Sequence, residues 1–191
     1  MCDASTAAGR NRDLTLAVIA TAKLDRATRE AIVALCNSAF AHRLDHDFTN
    51  LFGLVTDSMH ILGFENNSLV AHACWAERRL QAEGLPPLRT AYVDAVAAEP
   101  ALQRCGIGSM VMERFAREAA AYQLQALSSE EAAGFYERLG WERWRGPTAA
   151  RTQQGPRATP NDVILVHRTP ITPALDLTSL LMADDRGGQP W

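Results

Sequence analysis

Apolar and polar positions recur with two different periods along this chain, and the change of period marks its organisation. Leu14 to Thr21 is a short β-type run. Asp25 then stands where a helix N-cap belongs, and Ile32, Leu35, Cys36, Ala39 and Phe40 follow with the spacing of one helix face. A polar segment, Ala41 to Asn50, separates this helix from a predicted hairpin: Met59 to Glu65, a turn at Asn66-Asn67, and Leu69 to Leu80. Glu83 to Pro87 reads as a turn, and Arg89 to Ala98 as a further strand that Pro100 stops. From Gly106 to Tyr122 the period is helical, with Ile107, Met110, Val111, Phe115 and Ala119 on one face. Leu124 to Leu127 is a short buried strand. Ser128 and Glu131 form a capping-box signature for a second helix through Ala132, Phe135, Tyr136 and Leu139, ending at Gly140 as a C′ glycine. A loop rich in Gly, Pro and Thr leads to a final strand, Val163 to His167. Residues 1–13 read as a flexible arm, and 14–191 as a single domain whose last part, 170–191, is a tail. Antiparallel strands followed by a strand–helix–strand crossover predict a mixed α/β fold: one twisted, mostly antiparallel sheet with helices on both faces.

Composition narrows the function classes. A chain of 191 residues with 47% apolar content can bury a full core without metal or disulfide staples. Its formal charge of −3 speaks against sequence-independent nucleic-acid binding, which needs a clustered basic surface. No apolar stretch approaches the roughly 20 residues of a membrane span, and Met1 to Asp13 lacks the apolar run of a secretory signal. A cytoplasmic protein with neither nucleic-acid nor membrane partners is expected. Cys2, Cys36, Cys74 and Cys105 form no CxxC pair, so they read as four inert thiols rather than zinc ligands. The five histidines are scattered and read as structural or surface groups.

The chemistry concentrates in Val93 to Pro100 and in Gln103-Arg104-Cys105-Gly106-Ile107-Gly108-Ser109. A strand ends there, and a glycine-containing turn opens directly into an amphipathic helix. The first N–H groups of that helix lack internal acceptors, and its dipole favours an anion. A phosphate or pyrophosphate fits such a site, with Gly106 and Gly108 allowing close approach and Arg104 adding a charge-assisted contact. The absence of a following Gly-Lys-Ser/Thr separates it from a P-loop. Taken alone, the glycines fit a plain tight turn better.

Gln103-x-x-Gly106-x-Gly108 after this strand resembles the coenzyme-binding motif of the GCN5-related N-acetyltransferases. Phe135-Tyr136-Glu137-Arg138-Leu139-Gly140-Trp141 resembles the next signature of that superfamily, in the right order. A narrower resemblance, from about residue 14 onward, is to the aminoglycoside 2′-N-acetyltransferases. It rests on Ala39-Phe40, Asp47-Phe48-Thr49, Ala71-His72-Ala73, Arg78-Arg79-Leu80, Tyr92-Val93, Tyr122 to Ser129, Gly140-Trp141, Trp144-x-Gly146-Pro147-Thr148 and Trp191.

The resemblance implies acetyl transfer from acetyl-CoA to the 2′-amino group of an aminoglycoside, in a ternary complex and conferring antibiotic resistance. Asp94 then matches a glutamate of the family at the strand position of the general base; strand alternation from Tyr92 through Val96 points it into a cleft, directly or through water to the amine. Tyr136 protonates the leaving thiolate. The strand splays at Val96 to Ala98, where the backbone of Val96 and Ala98 holds the pantetheine arm and polarises the thioester. Gln103, Arg104, Cys105, Gly106, Ile107, Gly108 and Ser109 hold the pyrophosphate. Asp47, Arg43, Ser128, Gln189 and Trp191 fall on the antibiotic side, with the Trp191 indole covering a sugar. Where the family has Asp-Val-Trp, this chain has Gln189-Pro190-Trp191, and Arg43 adds a positive charge. The less acidic site suits kasugamycin better than the multiply cationic deoxystreptamine drugs. A homodimer is the assembly implied. An acetyltransferase of another small amine or peptide, and a coenzyme A-binding sensor without turnover, are the alternatives.

Overall fold

The structure is a computed structural model and describes residues 14–43, 47–186 and 190–191. The expected arm, 1–13, and the candidate Gln189 lie outside these residues. The elements in chain order are β1 (Thr15–Ala20), α1 (Arg26–Ala39), α2 (Leu51–Leu54), β2 (Ser58–Glu65), β3 (Ser68–Ala82), β4 (Leu88–Ala98), α3 (Ile107–Glu118), β5 (Leu124–Ser128), α4 (Ala133–Arg138), β6 (Glu142–Arg143), β7 (Thr148–Thr152), β8 (Gly155–Ala158), β9 (Ile164–His167) and β10 (Leu181–Asp184). Two compact units emerge: residues up to Ala76 with Asp94–Arg117, and Glu77–Val93 with Glu118–Trp191. The chain runs through both along β3 and β4.

In the first unit β1, β2 and β3 form an antiparallel meander, with Thr15 opposite Phe64 and His60 opposite Cys74. Asn66 and Asn67 both have positive φ (49° and 62°), as a two-residue hairpin turn between twisted strands requires. The Asp25 carboxylate accepts the Thr28 N–H at 2.7 Å and caps α1. Ile32, Leu35, Cys36 and Ala39 of α1 pack with Leu62, Cys74 and Ala97 in one core cluster. The next residue on β3, Trp75, meets Phe115 of α3 edge-on at 5.5 Å. Successive strand residues face opposite ways, so α1 and α3 cover opposite faces of this unit's sheet.

In the second unit the strand order is β6-β9-β5-β4-β3-β10-β7-β8. The β4–β5 and β10–β7 pairs are parallel, whereas β10–β3, β5–β9, β6–β9 and β7–β8 are antiparallel. Tyr92, Leu124, Trp144, Ile164, Leu177 and Leu181 belong to its core cluster. The class is α/β with a mixed sheet dominated by antiparallel pairs, as the sequence predicts.

Three expectations are corrected. The loop before residue 163 holds the β7–β8 hairpin, and Val163 to His167 is not the final strand, because β10 lies between β3 and β7. Both segments are short and rich in small or polar residues, so they carry no periodic signal. The capping box at Ser128 and Glu131 does not form: Ser128 ends β5, α4 starts at Ala133, and Ser129 Oγ accepts the Ala132 N–H at 3.3 Å. Finally, Cys36 and Cys74 are free thiols, but Cys105 is disulfide-bonded. Among the described residues, no helix is long and apolar enough to cross a membrane.

Candidate active site

Strand β4 does not stay extended to its end. Ala95 has φ 51°, a left-handed conformation that costs an alanine about 1 kcal/mol. Two side chains of β3 hold the backbone there. His72 Nδ1 lies 2.8 Å from Ala95 O, and the Cys74 thiol donates to Asp94 O at 3.4 Å. The interruption falls one residue before the expected splay at Val96. Asp94, Val96 and Ala98 are half-buried, whereas Ala97 packs into the α1 core.

His72 is itself held from behind. Its Nε2 lies 3.0 Å from His60 Nδ1, and His60 Nε2 lies 2.9 Å from Thr21 Oγ1. Burial lowers the pKa of His60 to about 4, with help from the Arg29 charge, and that of His72 to about 3. Both are neutral at physiological pH. In the unfolded chain they titrate near 6.5, so between that value and about 4 the unfolded state binds more protons than the folded one. Stability is therefore complete above pH 6.5 and declines as pH falls through this window. The urea midpoint should drop between pH 7 and pH 5, with about two protons taken up on unfolding near pH 5. A flat midpoint over that range would show that the buried pair is not neutral.

After β4 the chain turns sharply. Glu99 N–H donates to Val70 O at 2.9 Å, Leu102 N–H to Glu99 O at 2.8 Å, and the Gln103 amide to Ala98 O at 3.3 Å. Gln103 thus ties the turn to the strand. Arg104 (φ 61°) and Gly106 (φ 85°) both take positive φ. A methyl group at Gly106 would meet nothing within 4 Å, so backbone conformation rather than packing selects glycine, and open space lies beside it. Ile107, 1% exposed, seats the helix start in the core. The first intrahelical bond is Met110 N–H to Gly106 O. Hence the N–H groups of Ile107, Gly108 and Ser109 have no acceptor inside α3, and they stand at its positive end. Cys105 and the exposed Arg104 flank them. Such a turn suits a pyrophosphate.

The remaining candidates fall in two places. In the first unit, Asp47 is exposed, and its carboxylate accepts from Thr49 N–H (2.8 Å) and the Thr49 hydroxyl. Those bonds hold its pKa below the usual carboxylate range, the hydroxyl contributing most. Arg43 is half-buried, its N–H bonded to Phe40 O at 2.9 Å. In the second unit Ser128 is exposed at the end of β5. Tyr136 is buried between the rings of Phe135 and Trp141, at 5.0 and 5.7 Å, and burial pushes its phenol well above the ordinary tyrosine range. Trp191 packs against the second core cluster, and its indole N–H donates to Thr159 Oγ1 at 2.8 Å. Arg78, stacked 4.4 Å from the Tyr92 ring, donates to Asp184 O at 3.1 Å and to Pro190 O.

The sequence model of the acetyltransferase (GNAT) domain matches residues 21–144. The chain belongs to the GNAT acetyltransferase family. Solved GNAT-type structures share its fold. An acyl-CoA N-acyltransferase from Pseudomonas aeruginosa is 17% identical, with a TM-score of 0.59 over 81% of this chain and 99% of that one. ElaA from Escherichia coli gives the same figures. A GNAT family acetyltransferase from Brucella melitensis, in complex with acetyl-CoA, is 14% identical with a TM-score of 0.56, over 91% of this chain and 97% of that one. The GNAT family uses acetyl-CoA as its acyl donor. The matched stretch contains Asp94, the Gln103–Ser109 turn and Tyr136, and stops before the β7–β8 hairpin, β10 and Trp191.

The sequence alone reads His60 and His72 as structural or surface histidines and does not pair them; both are buried. A signal was available: pairing the hairpin about Asn66-Asn67 sets Leu62 opposite His72 and His60 opposite Cys74, so the two rings are diagonal neighbours on one face.

Proposed function

We propose that the protein transfers the acetyl group of acetyl-CoA to the 2′-amino group of an aminoglycoside, with kasugamycin the favoured acceptor, and so confers resistance to it. The observation that carries the acyl-transfer part is the β4–turn–α3 element, with its kinked strand, open Gly106 and bare helix N–H groups. The antibiotic part rests on the sequence resemblance that extends beyond the family match to Trp191.

When bound, acetyl-CoA supplies a thioester whose carbonyl carbon accepts the amine. The N–H groups of Ile107, Gly108 and Ser109, with Arg104, hold the pyrophosphate. The backbone of Val96 and Ala98 holds the pantetheine arm, and Val96 N–H polarises the thioester oxygen. Asp94 takes the proton of the attacking amine, directly or through one water. As the new C–N bond forms, the C–S bond breaks, and the thiolate needs a donor. With its phenol pushed up by burial, Tyr136 stays protonated and gives up its proton reluctantly. It therefore enters the step with its proton in place, hydrogen-bonds the departing sulfur and passes it that proton, which the Tyr136 phenolate regains from solvent after coenzyme A leaves. On the acceptor side, the ionised Asp47 attracts an ammonium group, and Ser128 and Trp191 contact the sugar. Arg43 and Gln189 lower the site's negative charge, which favours a drug with few ammonium groups or a carboxylate-like group of its own.

The test is thiol release from acetyl-CoA with kasugamycin, gentamicin, tobramycin, spermidine and a peptide amine, each product located by mass and NMR. Kasugamycin acetylated at its 2′-amine, with little turnover of the others, is the expected result. Broad turnover of gentamicin and tobramycin would replace kasugamycin with the deoxystreptamine drugs. Turnover of only spermidine or the peptide would remove the antibiotic reading, and silence with tight coenzyme binding would indicate a sensor.

A further inference from the structure

We infer that His72 is a positioning residue for acyl transfer: by bonding Ala95 O at the β4 kink, it aims the Val96 N–H at the thioester oxygen. The inference rests on the proposed role of Val96 and adds to it a residue from outside the catalytic strand.

The argument begins with proton counting. Ala95 O only accepts, so at 2.8 Å His72 Nδ1 must carry the hydrogen. A neutral His72 then has a bare Nε2, and His60 Nδ1, 3.0 Å away, must donate to it. His60 Nε2 is left to accept from the Thr21 hydroxyl at 2.9 Å, and Thr21 Oγ1 accepts the Ser58 N–H at 3.1 Å. From His60 to Ala95 each link has one donor and one acceptor, and the polarity runs toward Ala95; the single Thr21 hydroxyl hydrogen is shared among His60 Nε2, Val55 O at 3.2 Å and Ser58 O at 2.9 Å. Burial keeps both rings neutral, so the direction is not reversed by a stray proton. The Cys36 sulfur, 3.9 Å from His72 Nδ1, remains a thiol because burial raises its pKa to about 12.

Peptide geometry supplies the rest. The carbonyl of Ala95 and the N–H of Val96 belong to one planar trans unit and point in opposite directions. In a regular strand both lie in the plane of the sheet. Here the carbonyl is met by a side chain standing on the α1 side of β3, where Cys74 also packs. The Val96 N–H is therefore turned toward the side that carries α3. Cys74, two residues along the same face, fixes the preceding carbonyl of Asp94. Two side chains of β3 thus hold successive carbonyls where the strand is kinked, and His60 in turn holds the His72 ring.

The test is isotope-edited infrared spectroscopy of acetyl-CoA carrying ¹³C at the thioester carbonyl, bound to the parent protein and to two variants. His72→Leu removes the donor, and His72→Gln offers an amide N–H in its place. In the parent, the carbonyl stretch should shift to lower frequency than in solution. In His72→Leu the shift should largely disappear while acetyl-CoA affinity changes by less than about threefold, and His72→Gln should restore much of it. An unchanged shift in His72→Leu would overturn the inference and leave the Val96 role intact. No shift in the parent with coenzyme bound would overturn both. If His72→Leu does not fold, ¹⁵N NMR of the parent decides: a proton on His72 Nδ1 with bare Nε2 supports the chain, and the opposite tautomer overturns it. One equivalent of zinc in the purified protein would overturn it too, since His60, His72 and Cys74 present ligand atoms within 4.8 Å of one another.

Discussion

Replacing Asp94 with alanine is expected to lower turnover about a hundredfold or more while acetyl-CoA affinity moves by less than about threefold. The two effects separate because the residue's backbone and side chain have different tasks. The Asp94 carbonyl is held by the Cys74 thiol at 3.4 Å, and that bond does not depend on the carboxylate. Alanine therefore keeps the bond that holds the Asp94 carbonyl beside the Ala95 kink, and removes the carboxylate proposed to accept the proton. An amine that must shed a proton during attack then has only solvent to receive it. Raising the pH should recover part of the rate in Asp94→Ala, because more acceptor amine is already neutral, whereas the parent should gain less. Asp94→Asn keeps the shape and should resemble alanine. Turnover within threefold of the parent would mean that another group takes the proton.

The second large effect is on stability. Gly146→Ala should destabilise the fold by about 3 kcal/mol, at the upper end of what added core volume costs. A methyl group at residue 146 would sit 2.5 Å from Thr178 O and closer still to Ser179 O. Both are backbone atoms, and neither can swing aside. The Arg145 and Gly146 N–H groups both donate to Leu177 O, at 2.8 and 2.9 Å, and the Trp144 indole donates to Ser179 O at 2.9 Å. Two chain segments are therefore bonded in direct contact, and glycine is the residue that lets them approach. Gly134→Ala is the contrasting case. Its nearest neighbour would be a terminal nitrogen of Arg138 at 3.9 Å, and in α4 the added methyl should stabilise by up to about 1 kcal/mol. Urea midpoints of the two variants should move in opposite directions. Equal midpoints would show that the 146–179 contact relaxes at little cost.

How much of this was legible in the sequence depended on the kind of signal. The α1 stripe at Ile32, Leu35, Cys36 and Ala39, the Asn66-Asn67 hairpin and the β4–turn–α3 element were all readable, because period and turn chemistry are local. The glycine turn was readable for the same reason, since Gly106 and the helix start are adjacent in the chain. The kink at Ala95 was not: alanine rarely takes positive φ, and the bonds that hold it come from His72 and Cys74, some twenty residues earlier. The β7 and β10 strands were hidden too. Thr148-Ala149-Ala150-Arg151-Thr152 and Leu181-Met182-Ala183-Asp184 become strands by pairing with each other and with β3, a property of the assembled sheet rather than of either segment.

The placement of β10 also bears on how the chain reaches its native state during synthesis. It is the last of these strands to leave the ribosome, yet it lies between β3 and β7, pairing Leu181 with both Ala82 and Thr148. Until it emerges, the Leu80–Ala82 stretch of β3 and the facing side of β7 lack their final partner. Unpaired edges of this kind recruit other strands, and closures over so long a span of sequence form slowly. Until then the nascent protein carries two adhesive sheet edges exposed, which is when a chaperone is most useful to it and a crowded refolding mixture most hazardous.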